Sequence, residues 1–210
     1  MTPRGYLFGL LLTATPGASL VAQGEPGIRT GASAAVTFSR FAGTATEDPR
    51  VQYGFGVGGF LTFGLTRNIA LQPELQYVQK GARFRTETSR SSLLLGYLQV
   101  PLLLKLRVPA GSGITPHLYG GAAAAYRLDC RLNVNSGNSS VSQPCSNLDE
   151  PPPRRWDTSV IGGVGVDFGL LFVDLRFDLG LSRIGATPGQ EDIKNRALYL
   201  MVGTAFGGVR

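Results

Sequence analysis

Charge is scarce in this sequence, histidine occurs once, and cysteine occurs twice. Only 16% of the 210 residues are Asp, Glu, Lys or Arg, too few for a chain that meets water on every face. Beyond the first 22 residues no run approaches the roughly 20 apolar residues that a spanning helix requires, which excludes a helical membrane protein. Two cysteines and the distant His117 do not complete a tetrahedral set, so a structural metal is excluded and no cofactor is expected. Glycine, by contrast, is plentiful: 29 residues without collagen periodicity point to closely packed, turn-rich β structure.

The N-terminal "MTPRGYLFGLLLTATPGASLVAQ" combines Arg4, an apolar run from Tyr6 to Leu12 and small residues up to Ala22. This is the pattern of a secretory signal removed near Ala22 or Gln23, too short to span a bilayer. Residues 1–22 are therefore expected to be cleaved, leaving a single mature domain over 23–210.

In the mature chain, "LFVDLRFDLGL" sets Asp174, Arg176 and Asp178 at every second position between Val173, Leu175, Phe177 and Leu179. Period-2 alternation specifies a strand with one polar and one apolar face. Eight such segments are predicted, near 28–40, 51–64, 69–82, 92–108, 114–128, 156–169, 171–184 and 196–207. Each is long enough to cross a membrane as a tilted strand. The connections sort strictly. Those at 65–68, 109–113 and 168–170 are short, whereas 41–50, 83–91, 129–155 and 185–195 are long, polar or Pro-rich. An eight-stranded antiparallel up-and-down transmembrane β-barrel has this alternation, with short periplasmic turns and long outer loops.

A soluble barrel with a greasy cavity would show the same alternation. The non-apolar face argues against it, being mostly small residues such as Gly54, Gly56, Gly58, Gly121, Ala123 and Ala125, punctuated by charges of both signs. Such a face suits a narrow interior where a few long charged side chains interdigitate with small ones. The apolar face is then turned to lipid. Buried charges need partners, so Glu74, Asp167, Asp174 and Asp178 are expected to form an ion-pair network with Lys80, Lys105, Arg107 and Arg176. The same residues would line an ion or proton path if the lumen were open. Phe38, Tyr53, Phe63, Tyr126, Trp156, Phe168 and Phe206 fall near strand ends, as interfacial girdles do.

Cys130 and Cys145 bracket the polar "RLNVNSGNSSVSQP", and in an exported chain they are expected to pair, stabilising that loop by about 3 kcal/mol in the chain-entropy model. "GFGVGG" at 54–59 matches a dinucleotide-binding spacing, but no helix follows it. His117 begins the fifth strand beside a short turn, away from the outer rim, and no G-x-S-x-G elbow accompanies it. A lipid A-modifying enzyme is therefore the weakest reading, and the chain is read as no enzyme.

"GIRTGAS", "LQPELQYVQKG", "YLQVPLLLKLRV" and "HLYGGAAAAY" together resemble the outer-membrane β-barrel domain family, also called PorT-like or porin-family proteins. The resemblance runs from about residue 25 to the end. It implies an eight-stranded bacterial outer-membrane barrel, and the family name does not imply an open channel. Pro73 and Pro101 belong to these motifs and remove ladder donors, so a bulge or local irregularity is expected at each.

The net charge is +6. Arg83, Arg85, Arg90, Arg131, Arg154 and Arg155 fall in or beside outer loops, where they would meet lipopolysaccharide phosphates or an acidic surface. The expected partners are outer-membrane lipids, lipopolysaccharide and a protein bound at loop 129–155. Export excludes nucleic acid, and a monomer is expected. The expected role is structural, adhesive or accessory to surface recognition or secretion. A small passive channel is the alternative.

Overall fold

The computed structural model describes residues 27–43, 50–85, 89–108, 113–136, 139–147, 152–185 and 192–207. The expected signal segment, residues 1–22, and parts of all four expected long loops lie outside these residues. Nine strands form among the described residues: β1 (Ile28–Ala42), β2 (Gln52–Gly64), β3 (Ile69–Arg85), β4 (Ser89–Arg107), β5 (Ile114–Ser136), β6 (Ser139–Pro144), β7 (Trp156–Phe168), β8 (Leu171–Gly180) and β9 (Lys194–Phe206). Every pairing is antiparallel, in the order β4-β3-β2-β1-β9-β8-β7-β5, and the contact of β4 with β5 closes the ring. Eight strands make the barrel, and β6 extends the sheet from β5 outside it.

The register fixes the barrel's dimensions. Successive partners lead from Ile28 to Phe63, Leu71, Leu104, Gly120, Gly162, Phe177 and Leu198, and return to β1 at Phe38. The displacement of ten residues is the shear. With ordinary strand spacings it tilts the strands by about 40°, giving an interior that side chains can fill.

Alternation assigns the two faces without exception along β8, where Phe172, Asp174, Arg176, Asp178 and Gly180 are buried and the residues between them are exposed. The outward face carries Val57, Leu75, Leu102, Leu104, Val164, Leu175, Leu200 and Val202, all exposed. Aromatic residues ring it at two levels. Phe38 packs edge-on against Tyr53 and Tyr126 against Trp156 at one end, while Phe63, Phe168 and Phe206 lie at the other. Tyr53 and Phe63 are ten positions apart on β2, about 25 Å along the axis of a barrel with this tilt, the height of an outer-membrane apolar band.

Three strands run three or more residues farther than their alternation suggests. β3 and β4 continue to Arg85 and from Ser89, which leaves only 86–88 of the expected loop 83–91. β5 continues to Ser136 and folds back as β6, so loop 129–155 is largely a hairpin. Its polar "SSVSQP" has no apolar face to mark it as a strand. β8, in turn, stops at Gly180 rather than 184.

The prolines interrupt pairing without shifting register. Glu74 and Leu75 of β3 have no ladder partners opposite Val100 and Pro101, and β2 skips the positions facing Gln72 and Pro73. The register shift lies elsewhere, at Gly96 and Tyr97 against an extra residue in β5. Gly169, at φ 65°, makes the tight β7–β8 turn, a conformation that Gly adopts without strain.

Candidate functional site

The chemistry-bearing side chains converge in the lumen. The eight residues expected there all point inward, but they group into three clusters at successive heights.

At mid-barrel, Arg176 of β8 crosses the lumen to Glu74 of β3. Its Nη1 and Nη2 donate to the two carboxylate oxygens at 2.8 and 2.9 Å, the fork geometry that guanidinium and carboxylate share. Arg176 Nε donates to Tyr119 Oη at 3.2 Å, and the guanidinium lies 5.1 Å from that ring's centre. Glu74 accepts further from the Gln72 and Gln76 amides, each at 2.7 Å. Arg176 is 2% exposed and Glu74 5%, so the carboxylate exchanges water for four donors and the pair is closed on itself. Gly163 makes room, since a Cβ there would collide with the Tyr119 ring.

Toward the long-loop end, Lys80 Nζ meets Asp178 Oδ2 at 2.8 Å, joined by donation from Gln99 Nε2 at 2.8 Å and Tyr199 Oη at 3.1 Å. Asn195 Nδ2 bridges to Asp157 at 2.7 Å and to Tyr97 Oη at 3.2 Å. An apolar group that includes Phe41, Leu95, Tyr97, Ile184 and the cystine packs over this layer. The disulfide joins Cys130 of β5 to Cys145, with Cα atoms 5.4 Å apart.

At the short-turn end, Asp167 of β7 faces Lys105 Nζ at 3.5 Å, His117 Nδ1 at 3.5 Å and Arg107 Nε at 3.9 Å. His117 Nε2 is 2.8 Å from Asp174. Gly165 leaves the space for that contact, because a Cβ there would strike the Asp174 carboxylate. Among the described residues no serine hydroxyl bonds His117, and no group of His, Cys, Asp and Glu could hold a metal ion.

Several participants carry no mark in the sequence. Tyr97, Tyr119 and Tyr199 read as ordinary strand aromatics, and Gln72, Gln76 and Gln99 carry no charge to attract notice. Asp157 and Arg29 do stand on inward positions of their strands, and strict extension of the alternation would have found both.

A family model described as "Outer membrane protein beta-barrel domain" matches residues 22–185. The chain belongs to this family. No curated protein matches it. Among solved structures, it is similar to OprG of Pseudomonas aeruginosa at 11% identity, covering 87% of this chain and 96% of that one with a TM-score of 0.47. It is similar to Ail of Yersinia pestis in complex with the heparin analogue sucrose octasulfate at 15% identity, covering 87% and 100% with a TM-score of 0.46. Neisserial surface protein A matches at 14% identity over 85% and 95%, with a TM-score of 0.44. The outward apolar band of this outer-membrane barrel is therefore its lipid-facing surface.

Among the described residues, arginines gather at one part of the long-loop rim. Arg50, Arg83, Arg85 and Arg90 border one depression with Ser91, Ser92 and Asn135. Arg50 and Arg83 exchange backbone hydrogen bonds of 2.9 and 3.1 Å, and Arg85 sits directly across from Arg90. Like charges opposite one another destabilise a ladder unless an anion intervenes. Arg155 is separate, donating to Tyr126 Oη at 3.0 Å.

Proposed function

We propose that this chain is an outer-membrane barrel whose lumen is plugged by its own side chains and whose outward role is structural or adhesive, through recognition at the long-loop end. In this reading residues 1–22 are the cleaved export signal, the short turns face the periplasm, and the mature barrel is a monomer without enzymatic activity. The observation that carries it is the bidentate pair between Arg176 and Glu74, which spans the lumen at mid-height with both side chains buried. A conducting path would have to break two charge-assisted hydrogen bonds in a dry interior.

Residues 127–136 of β5 continue past its last partner in β7, about 30 Å of extended chain. With β6 they form a hairpin held by β4 on the β5 side; among the described residues the β6 edge has no strand partner, so it offers backbone donors and acceptors to a protein partner. The arginines beneath it suit lipopolysaccharide phosphates.

The test is planar-bilayer conductance of the refolded mature chain, with heat-modifiable gel migration as the check on folding. Folded barrels that give no channel events agree with the plug. Reproducible unitary conductance from the native chain would favour the passive channel and make Lys105, Arg107, Asp174 and Arg176 its selectivity residues.

A further inference from the structure

The three lumen clusters differ in charge balance. The central pair is matched one to one, and the layer toward the long loops sets Lys80 against both Asp178 and Asp157. The cluster at the short-turn end has the opposite excess. Lys105, Arg107 and Arg29 stand there with His117, against Asp167 and Asp174. With His117 counted neutral, that is three cations against two carboxylates, and Asp174 is engaged at 2.8 Å by His117.

Arg29, on the inward face of β1, adds its like charge to those of Lys105 and Arg107 and has no carboxylate within ion-pair distance among the described residues. Its Nε and that of Arg107 are both buried without a hydrogen-bond acceptor. Unsatisfied buried donors on charged groups are costly. Two guanidinium groups and an ammonium gathered at one end of the lumen are the donor types that recognise a tetrahedral oxyanion.

Among the described residues the cluster also keeps some contact with solvent. The Lys105, Arg107 and Asp167 side chains retain 7, 11 and 12% exposure, while Phe60, Phe172, Leu103 and Tyr119 fill the barrel above them. Lys105 Nζ lies 5.7 Å from the centre of the Phe172 ring, so that aromatic floor meets the cation directly.

We propose that the short-turn mouth of the lumen is a blind binding site for a phosphate-type oxyanion, held by Arg29, Arg107 and Lys105, with Asp167 as the internal competitor for the same cations. That the anion comes from the periplasm rests on the orientation proposed above. The binding itself does not.

The experiment is calorimetric titration of inorganic phosphate into the folded mature barrel in detergent at constant ionic strength, where orientation plays no part. Saturable binding of one phosphate is expected. Arg29→Gln and Arg107→Gln should each weaken it about tenfold, the loss of one charge-assisted hydrogen bond. Asp167→Asn should tighten it by about the same factor, since it frees Lys105 and Arg107. Arg85→Gln, at the opposite end, should leave it unchanged. Absence of saturable heat with the native barrel would overturn the proposal, as would equal affinities for native and Arg29→Gln. If the arginine variants fail to fold, Asp167→Asn decides alone, and unchanged or weaker binding in it overturns the site. Glu25 lies four residues before Arg29, outside the described residues. Binding that emerges only in Glu25→Gln would assign the cradle to the chain's own carboxylate and refute the oxyanion site. If phosphate binds but native barrels conduct in bilayers, the plug fails and the site stands.

Discussion

Replacing Arg176 by Met removes the cation from the centre of the lumen while keeping much of its stem volume. Glu74, 5% exposed, then loses two hydrogen bonds of 2.8 and 2.9 Å and keeps only the Gln72 and Gln76 amides. Each charge-assisted bond is worth about 1.5–3 kcal/mol, and stranding one member of a buried pair destabilises by about 3–5 kcal/mol. Arg176→Met should thus lower unfolding free energy by about 4 kcal/mol, roughly a thousandfold in the folding equilibrium. Glu74→Gln added to it should recover most of that, because a neutral amide can share the same glutamine donors and no charge is left unpaired. The assay is urea unfolding from phospholipid vesicles, followed by Trp156 fluorescence and gel migration. A loss below about 1 kcal/mol for the single variant, or a double variant no better than the single, would refute the claim that this pair is dry and mutually dependent.

Leu175→Arg, on the lipid face near mid-barrel, should destabilise by about 2–4 kcal/mol in the same unfolding assay, and a neutral effect would contradict the assignment of faces. Gly163→Ala places a methyl into the Tyr119 ring, and overpacking of this kind should cost about 1–3 kcal/mol, measured as a lower urea midpoint. Reduction of the Cys130/Cys145 bond, which closes a separation of 15 residues, should remove about 3 kcal/mol from the packing of the β5–β6 hairpin. It should also speed proteolysis near 137–151 while the heat-modifiable barrel persists.

How much of this could be read from residues alone varies with the length scale of the cause. The inward and outward faces of β8 follow from single-residue alternation, and the barrel follows from short turns strictly alternating with long loops. Cys130 and Cys145 were legible from export and composition. Register was not, because the extra residue opposite Gly96 and Tyr97 sets it through backbone pairing. Nor was the division of lumen charges into clusters, since which acid meets which base depends on the shear of the whole ring. Lys80 and Asp178 are 98 residues apart in sequence, and only closure of the barrel brings them together. The β6 hairpin was hidden for the opposite reason: both its faces are polar, so hydropathy carries no trace of its period.

Asp174, Arg176 and Asp178 are luminal only if the alternate face of each strand meets lipid. In a Trp156→Phe background, Leu200→Trp and Tyr199→Trp would place one tryptophan at adjacent β9 positions, one exposed on the outer face and one 1% exposed in the lumen. Reconstituted in vesicles whose acyl chains carry bromine at mid-chain, the Leu200→Trp barrel should be strongly quenched and the Tyr199→Trp barrel scarcely at all. Quenching of the Tyr199→Trp barrel alone, with both forms shown to be folded by gel migration, would contradict the inward placement of Asp174, Arg176 and Asp178 and with it the plugged lumen.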